Sequence, residues 1–353
     1  SEVIYKALSN LKEHGNIRDE TQARIIETEL ITMKNKGIGL EVDEKKLFNS
    51  RSERLAELST IFSNNVLDAT NNWTLLLKHP SEIEGLPERA LETLALAAKE
   101  SGDKTEGGDE PTSSSGPWRV GLDLPRYIPF QTYAKNRQIR EKVYRAFVSR
   151  ASDGELNNKK IIEEILDLKN KQARQLGYKN WCEISLATKM ADDEEAVEKL
   201  LEELRSAAMP HAEKELIQLR ECAKRNGEND SFELYPWDIS YWSEVLRKEK
   251  YDLDQEQLRP WFPLDQVLNG LFNLCKRLFE IEIEESKISA PLWHKDVRFF
   301  NVKNQDGQQI ASFYLDPFSR PATKRGGAWM DECLCRNQKG KDNIVLPVAY
   351  LIC

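Results

Sequence analysis

Histidine is scarce in this sequence, and its placement excludes a common kind of metal site. The four histidines among 353 residues are His14, His79, His211 and His294. They are so widely separated that no helix carries two of them four residues apart, the spacing with which one helix binds zinc. The sequence therefore predicts no zinc hydrolase site of this kind within this chain.

Cysteine is also scarce, and the six cysteines lack the spacing of a disulfide framework. They are Cys182, Cys222, Cys275, Cys333, Cys335 and Cys353. Reduced thiols in the cytoplasm, a plastid or a mitochondrion are therefore expected. A metal site built from the last three cysteines and His294 is disfavoured, because C-x-C lacks the usual two-residue spacer. A Cys–His nucleophilic pair stays open, although no motif marks one.

An excess of positive charge and long apolar runs are absent as well. The 59 Asp and Glu residues outnumber the 51 Lys and Arg residues, which gives a net charge of −8. This balance argues against nucleic acid or a membrane surface as a partner. The longest apolar run, 344–353, is too short to span a bilayer, and the N-terminus has no features of a secretory signal.

A phosphate-binding loop is also absent from the sequence. The pair Gly326-Gly327 lacks the following Lys-Ser/Thr of a phosphate loop.

Helical periodicity is what the sequence has in abundance. Apolar residues recur at spacings of three and four, and turn residues separate the periodic segments. Helices are predicted over 18–36, 43–73, 88–99, 133–148, 157–176, 192–221, 236–248 and 263–279. Pro210 is expected to kink or break the helix that contains it. The segment Ser101–Gly116 has no large apolar residue and is predicted to be a mobile loop.

The period changes to two only near the C-terminal end, which predicts a small sheet there. Strands are expected over Val297–Val302, Ile310–Leu315 and Ile344–Ile352, and residues 304–307 form the turn of a hairpin between the first two. The predicted fold is therefore mainly α, a large helical body with a small sheet. We expect an N-terminal helical domain over 1–190, with the loop 101–116, and a second region over 191–353 that ends in the sheet, 296–353.

The segment between the second and third predicted strands has the most unusual composition. It begins with Asp316, a carboxylate placed to hold Arg320 or Arg325, and continues through a basic loop. One interpretation is that this segment is a structural loop that closes the sheet. The other is that it forms the wall of a peptide groove and offers backbone N–H and C=O groups to an extended ligand. From the residues alone the two interpretations have equal weight. The candidate groove residues are Arg325, Gly326, Gly327, Ala328, Trp329 and Met330.

This segment resembles a known family of enzymes. F-Y-L-D-P-F-S-R-P-x-x-K-R-G-G-A-W-M-D-E, residues 313–332, is similar to the segment before the active site in the thimet oligopeptidase and oligopeptidase A family of zinc metallopeptidases. Other stretches agree with it in order along the chain: 65–70, 83–87, 134–137, 149–152, 187–191, 237–242 and 346–349. The resemblance implies a neurolysin-like, clam-shaped helical fold whose channel admits short peptides.

The resemblance also implies what this chain lacks. In the family, the run similar to 346–353 leads into the H-E-x-x-H zinc helix, and no such motif occurs in this sequence. No catalytic residue and no zinc ligand can therefore be carried over, and a chain without them is expected to be inactive alone. The first hypothesis is the N-terminal part of a zinc oligopeptidase. The alternatives are a non-catalytic helical protein that binds peptides or a partner through the groove and sheet edge, and a helical scaffold.

The segment 344–353 carries one further expectation. A strand at this position is expected to leave backbone groups or apolar area unpaired. A missing C-terminal half of the protein, or a second copy of the chain, would cover it.

Overall fold

The protein is mainly α-helical, with a small sheet formed near the C-terminal end. The computed structural model describes residues 1–15, 17, 19–252, 255–287, 290–320, 324, 327–338 and 344–353. The helices are α1 (Glu2–His14), α2 (Glu20–Asn35), α3 (Val42–Asn72), α4 (Glu88–Glu100), α5 (Leu124–Tyr133), α6 (Arg137–Val148), α7 (Lys159–Gln175), α8 (Trp181–Leu186), α9 (Glu194–Arg225), α10 (Pro236–Tyr251), α11 (Gln255–Leu258) and α12 (Leu264–Phe279). The strands are β1 (Thr74–Leu77), β2 (Trp118–Gly121), β3 (Glu282–Glu285), β4 (Arg298–Lys303), β5 (Gln309–Asp316), β6 (Trp329–Leu334), β7 (Asn337–Gln338), β8 (Ile344–Val345) and β9 (Val348–Ile352). The predicted fold class is confirmed.

Side-chain caps explain why several helices begin where they do. The Asp19 carboxylate accepts a hydrogen bond from the backbone N–H of Gln22 at 2.8 Å, at the start of α2. Asp193 does the same for Ala196 at the start of α9. Such bonds satisfy one of the donors that a helix N-terminus leaves without an intrahelical partner. Local chemistry therefore sets these boundaries.

Pro210 does not interrupt the long helix α9. The helix continues through Pro210 from Glu194 to Arg225, 32 residues in all. Pro210 lies on the exposed surface, so water can solvate the carbonyl group that loses its helical partner. Of the two expected effects, a break does not occur at this residue, and a kink stays a prediction.

The chain divides into two compact units. Unit 1 contains Ser1–Trp73 and Glu141–Trp242, and unit 2 contains Thr74–Arg140 and Ser243–Cys353. The division that we expect on functional grounds, after residue 190, stays a prediction. Within the described ranges, no helix has the length and continuous hydropathy needed to cross a membrane.

Unit 1 is built around the pairing of α3 with α7. Leu58 of α3 and Ala173 of α7 are buried. Beside them, the Arg54 guanidinium donates two hydrogen bonds, at 2.7 and 2.9 Å, to the carboxylate of Glu164. A planar guanidinium matches a carboxylate in this two-bond geometry, so the pair fixes the alignment of the two helices as well as their contact.

Unit 2 contains a two-stranded antiparallel sheet, β1 and β2, that packs against α4 and α5. Leu77, Val120 and Phe130 are almost fully buried there. The predicted loop 101–116 precedes β2 and has no helix or strand. Arg119 of β2 donates two hydrogen bonds, both at 2.8 Å, to the Asp103 carboxylate near the start of this loop. That the loop is mobile stays a prediction.

The second sheet of unit 2 has five strands in the order β3-β4-β5-β9-β6. β4 and β5 are antiparallel, and residues 304–307 turn the chain between them as predicted. Helix α12 packs on one face of the sheet, where Leu268 and Phe272 meet Phe300 and Leu315. The ring centroids of Phe272 and Phe300 are 5.3 Å apart. This apolar layer is the core that holds the sheet in place.

The C-terminal strand lies inside the sheet, so the expectation that it leaves backbone groups unpaired is wrong for 348–352. The structure divides the predicted strand at Leu346-Pro347 into β8 and β9. β9 pairs with β5 in parallel on one side and with β6 in antiparallel on the other. The edge strands are β3 and β6. β6, which lies beside β9, follows the predicted loop and was not expected from the sequence.

Candidate functional site

The candidate residues lie at one end of the five-stranded sheet. Because β5 and β9 are parallel, their C-terminal ends lie at the same end of the sheet, where Asp316 pairs with Ile352. β6 runs antiparallel to β9 and begins at this end of the sheet, where Trp329 pairs with Ile352. The end of β5, the end of β9 and the start of β6 therefore form one row.

The predicted groove residues lead into the edge strand. Gly327 and Ala328 directly precede β6, and Trp329 and Met330 are its first two residues. All four are exposed; Trp329 is 50% and Met330 77% exposed. Arg325 and Gly326 lie outside the described residues. The structure thus brings four of the six candidates together at the start of an exposed strand.

Gly327 has a backbone conformation that explains the choice of glycine before β6. Its φ angle is +109°, in the region that residues with a side chain rarely adopt. A Cβ atom at this position would meet no atom of the described residues within 4 Å, its two chain neighbours aside. Backbone conformation, not lack of space, therefore accounts for glycine at this turn.

Asp316 is the electrostatic centre of this end of the sheet. Its carboxylate is almost fully buried and accepts two hydrogen bonds from the Arg320 guanidinium, at 2.8 and 2.6 Å. The indole Nε1–H of Trp293 donates a third, at 3.0 Å, and the Lys324 ammonium lies 3.3 Å from the carboxylate. Of the two arginines expected as partners of Asp316, Arg320 is bound to it, and Arg325 lies outside the described residues.

These partners favour the ionised carboxylate. The hydrogen bonds from Arg320 hold the pKa of Asp316 well below its ordinary value; burial acts in the opposite direction, and the Trp293 and Lys324 contacts lower the pKa further. Asp316 is therefore a permanent anion at neutral pH and is unsuited to act as a proton donor or acceptor near pH 7. Its role is to position the side chains of Arg320, Trp293 and Lys324.

Lys324 links the segment that follows β5 to the C-terminal ends of the parallel strands β5 and β9 through hydrogen bonds. Its ammonium group donates a hydrogen bond to the carbonyl oxygen of Phe318 at 2.9 Å and another to the carbonyl oxygen of Cys353. The backbone N–H of Cys353 in turn donates to the carbonyl oxygen of Asp316 at 2.8 Å. Lys324 and Trp293 could not be identified as partners of Asp316 from the sequence, because nothing in the spacing of a lysine or a tryptophan reveals which carboxylate it meets.

An aromatic row crosses the sheet beside the ion cluster. Phe299, Tyr314 and Tyr350 lie side by side on β4, β5 and β9, with centroids 4.5 and 5.6 Å apart. Trp293 packs on Tyr314 and Tyr350 at 5.3 and 5.8 Å, and Trp329 meets Tyr350 at 6.0 Å in an edge-on arrangement. Aromatic pairs of this kind favour a fixed geometry. The first side chain of β6 therefore adjoins a rigid apolar surface.

The Cys335 thiol, just after β6, is held in its protonated form. A hydrogen bond from the Cys335 Sγ to a Glu332 carboxylate oxygen, at 2.8 Å, raises the pKa of Cys335. A hydrogen bond with Cys333 raises the pKa of Tyr350. The thiolate is the nucleophilic form of cysteine, so the arrangement at Cys335 does not favour nucleophilic catalysis. All six cysteines are free.

The fit of a metal ion depends on converging ligands. Within the part of the chain that the structure describes, no group of three or more His, Cys, Asp or Glu side chains is arranged to hold one. This includes the set of His294 with the C-terminal cysteines; His294 instead lies beside Asp296, at 3.5 Å. The described residues therefore do not fit a zinc ion.

Comparison with known proteins gives a consistent result along the whole chain. A family model described as Peptidase family M3 matches residues 130–353. The chain is 44% identical over its full length to organellar oligopeptidase A, chloroplastic/mitochondrial, of Arabidopsis thaliana, and covers 44% of that protein. It is 44% identical to the probable cytosolic oligopeptidase A of the same plant and 40% identical to oligopeptidase A of Escherichia coli strain K12, again over its full length, and covers 50% of each.

The chain thus spans about half the length of the curated relatives it matches. The resemblance inferred from residues 313–332 is confirmed, since both the family model and these relatives include that segment within the matched region. The chain belongs to peptidase family M3.

Proposed function

We propose that this chain is the part of a zinc-dependent oligopeptidase that holds an extended peptide, with edge strand β6 as the peptide-binding element. Hydrolysis would need zinc ligands that the described residues do not supply. The region 191–353 would then be the beginning of the catalytic part of the protein. Short peptides are the proposed substrates, in keeping with the name oligopeptidase A carried by the relatives.

The single observation that carries this proposal is the position of β6. β6 pairs with β9 on one side, and no strand among the described residues pairs with its other side. Consecutive backbone groups of an edge strand alternate between the neighbouring strand and the outside. β6 therefore offers a row of N–H and C=O groups to which an extended peptide can add as a further strand.

The side chains of β6 would give such a peptide two different surroundings. Asp331 shares a sheet face with Tyr350, its neighbour on β9, and Met330 shares the opposite face with Leu351. Successive side chains of a bound strand point to opposite faces of a sheet. One set of peptide side chains would therefore meet the aromatic row, and the other would meet apolar side chains near Met330.

The proposed compartment follows from the relatives and the cysteines. The plant relatives are named as chloroplastic/mitochondrial and cytosolic proteins. Six free thiols suit a reducing environment of this kind. We therefore propose the cytoplasm, a plastid or a mitochondrion.

Backbone methylation of the ligand tests the edge-strand proposal directly. A short fluorescent peptide of extended sequence is expected to bind the chain, as measured by fluorescence anisotropy. In an added strand, every second backbone N–H of the peptide faces β6. Methylation of the nitrogens in that set is expected to weaken binding strongly, because the peptide's donors to β6 are lost. The peptide methylated at the other set of nitrogens is the control. Equal binding of all three peptides would show that β6 does not add a strand.

The isolated chain is expected to contain no stoichiometric zinc and to cleave no peptides. The reason is the wide separation of its four histidines in the sequence, together with the absence of an H-E-x-x-H motif. Elemental analysis of the purified chain and an assay with quenched fluorescent peptides measure both properties. One zinc ion per chain, lost together with peptidase activity on chelation, would contradict the prediction. Peptide binding without cleavage, even after the remaining half of the protein is added, would favour the non-catalytic alternative.

A further inference from the structure

Helices α4 and α5 form the walls of a cleft within unit 2, and the volume of this cleft is about 370 Å³. Binding sites for small molecules are commonly clefts of about 300–1,000 Å³, so the cleft lies at the lower end of that range. Its described lining residues lie outside the five-stranded sheet and the segment that follows β5. The cleft is therefore distinct from β6, and what it binds does not depend on peptide binding there.

The walls of the cleft are largely apolar. Leu124 and Ile128 are four residues apart on α5, so they lie on the same side of that helix. Pro125 and Pro129 repeat the same spacing beside them. Ala90 of α4 adds a small buried side chain. Because Leu124 and Ile128 are 47% and 53% exposed, a ligand in the cleft would remove apolar area from water, which favours binding.

Two guanidinium groups give the cleft a positive charge. Arg89 of α4 and Arg259, in the turn after α11, both line it, and no Asp or Glu is among its described lining residues. Arg89 is exposed, and no carboxylate in the described part of the chain forms an ion pair with it. The chain as a whole has a net charge of −8, so a cleft lined by cations alone departs from the general balance. Its charge is complementary to a carboxylate, which a guanidinium binds with two hydrogen bonds.

The described lining offers few hydrogen-bond partners to the backbone of a peptide. Pro87, Pro125 and Pro129 have no backbone N–H group. The Thr93 hydroxyl already donates its hydrogen bond to the backbone carbonyl oxygen of Arg89, at 2.9 Å. A peptide would therefore bury amide groups without partners, which is unfavourable. A hydrocarbon chain has no such groups, so the lining favours an aliphatic body with a single carboxylate at its end.

We propose that the cleft between α4 and α5 binds a small aliphatic carboxylic acid, of the class of the medium-chain fatty acids. The hydrocarbon chain packs on Leu124 and Ile128, and the carboxylate is bound by Arg89 and Arg259. A ligand that binds only the folded protein raises its melting temperature, so occupancy of the cleft has a readout that is independent of any reaction.

Isothermal titration calorimetry with decanoate, below the concentration at which it forms micelles, tests the charge of the site. One molecule of decanoate is expected to bind per chain. Arg89→Gln is expected to weaken this binding at least about tenfold, because a hydrogen bond between charged groups is lost. The alcohol 1-decanol has the same chain without the carboxylate and is expected to bind weakly, and equally, to the unchanged protein and to Arg89→Gln. Arg174→Gln, at an exposed arginine of α7 in unit 1, is the matched control and is expected to keep full affinity for decanoate.

A second pair of variants tests where the hydrocarbon chain lies. Ile128→Glu places a carboxylate in the cleft and is expected to abolish decanoate binding. Ile162→Glu, at a comparably exposed isoleucine of α7, is the control and is expected to change nothing. Melting curves provide a second measurement, because decanoate is expected to raise the melting temperature of the unchanged protein and of Ile162→Glu but not that of Ile128→Glu.

Three results would overturn the proposal. The first is that decanoate does not bind the unchanged protein. The second is that decanoate acts equally on all four variants, which would show that it binds without a defined site. The third is that trileucine, an apolar peptide with a free carboxylate, binds more tightly than decanoate and loses its affinity in Arg89→Gln. The cleft would then be a site for the C-terminal end of a peptide.

Discussion

Replacing Asp316 by asparagine is expected to lower the free energy of unfolding by about 3 kcal/mol. The substitution keeps the shape of the side chain but removes the charge that holds Arg320 and Lys324. Removing one partner of a buried ion pair costs about 3–5 kcal/mol. We expect the lower end of this range, because the side chains of both cations retain some contact with water.

The contribution of Asp316 depends on pH in a defined direction. Its pKa is lower in the folded protein than in the unfolded chain, where an aspartate titrates near about 3.9. The stability that it contributes is therefore fully present above this unfolded-state pKa and is lost as the pH falls towards the folded-state pKa. The asparagine variant is expected to lack this part of the acid dependence.

Urea unfolding at pH 7 and at acid pH measures both effects. Asp167→Asn is the matched control, because Asp167 pairs with Lys171 on an exposed helix surface, at 2.6 Å. Exposed ion pairs of this kind contribute little to stability, so the control is expected to unfold like the unchanged protein. Loss of stability in both variants to the same extent would mean that burial of the Asp316 cluster has no special effect.

The helices could be predicted because their signals are local. Apolar periodicity located α3, α7, α9 and α12, and the caps at Asp19 and Asp193 lie within two residues of the predicted starts. Each signal arises from residues within a few turns of one another. Pro210 shows the limit of this reasoning, because an exposed position within a long helix tolerates the lost hydrogen bond.

The order of the strands could not be predicted, because long-range pairing decides it. Alternation located β4 and β5, and the turn at 304–307 joined them correctly. The sequence of β6, W-M-D-E-C-L, does not alternate, and most of this strand is exposed. Its extended conformation depends on β9, with which it pairs from Trp329 to Leu334. Tertiary context of this kind overrides local preference in strands.

That residues 325–330 line a peptide groove stays a prediction, but their place relative to the sheet can be compared with the structure. Four of the six candidates, 327–330, lie at the start of an edge strand, and Arg320, one of the two partners expected for Asp316, is bound to it. From the sequence, 344–353 was expected to be the exposed edge, since no local signal distinguishes an interior strand at a chain end from an outer one. On this side of the sheet the outer strand is β6 and not 348–352, so the test of function must be made there.

Proline substitutions at two consecutive positions of β6 are expected to separate folding from peptide binding. Backbone N–H groups alternate along an edge strand, so of Met330 and Asp331 one donates towards β9 and the other faces outwards. Proline removes the donor in either case. The inward substitution breaks the ladder with β9 and is expected to lower the melting temperature. The outward one is tolerated at a sheet edge but is expected to weaken peptide binding about tenfold, because it removes one backbone hydrogen bond and places a ring where the peptide would lie.

The contrast between these two variants is what identifies β6 as a binding edge. Met330→Ala and Asp331→Ala keep both backbone donors and are the controls for the lost side chains. Melting curves and fluorescence anisotropy with the extended peptide are measured on all four variants. If the proline variant that keeps the melting temperature also keeps full affinity for the peptide, the outward groups of β6 are not used. The edge strand would then be a structural border of the sheet, and the peptide would have to bind elsewhere in the protein.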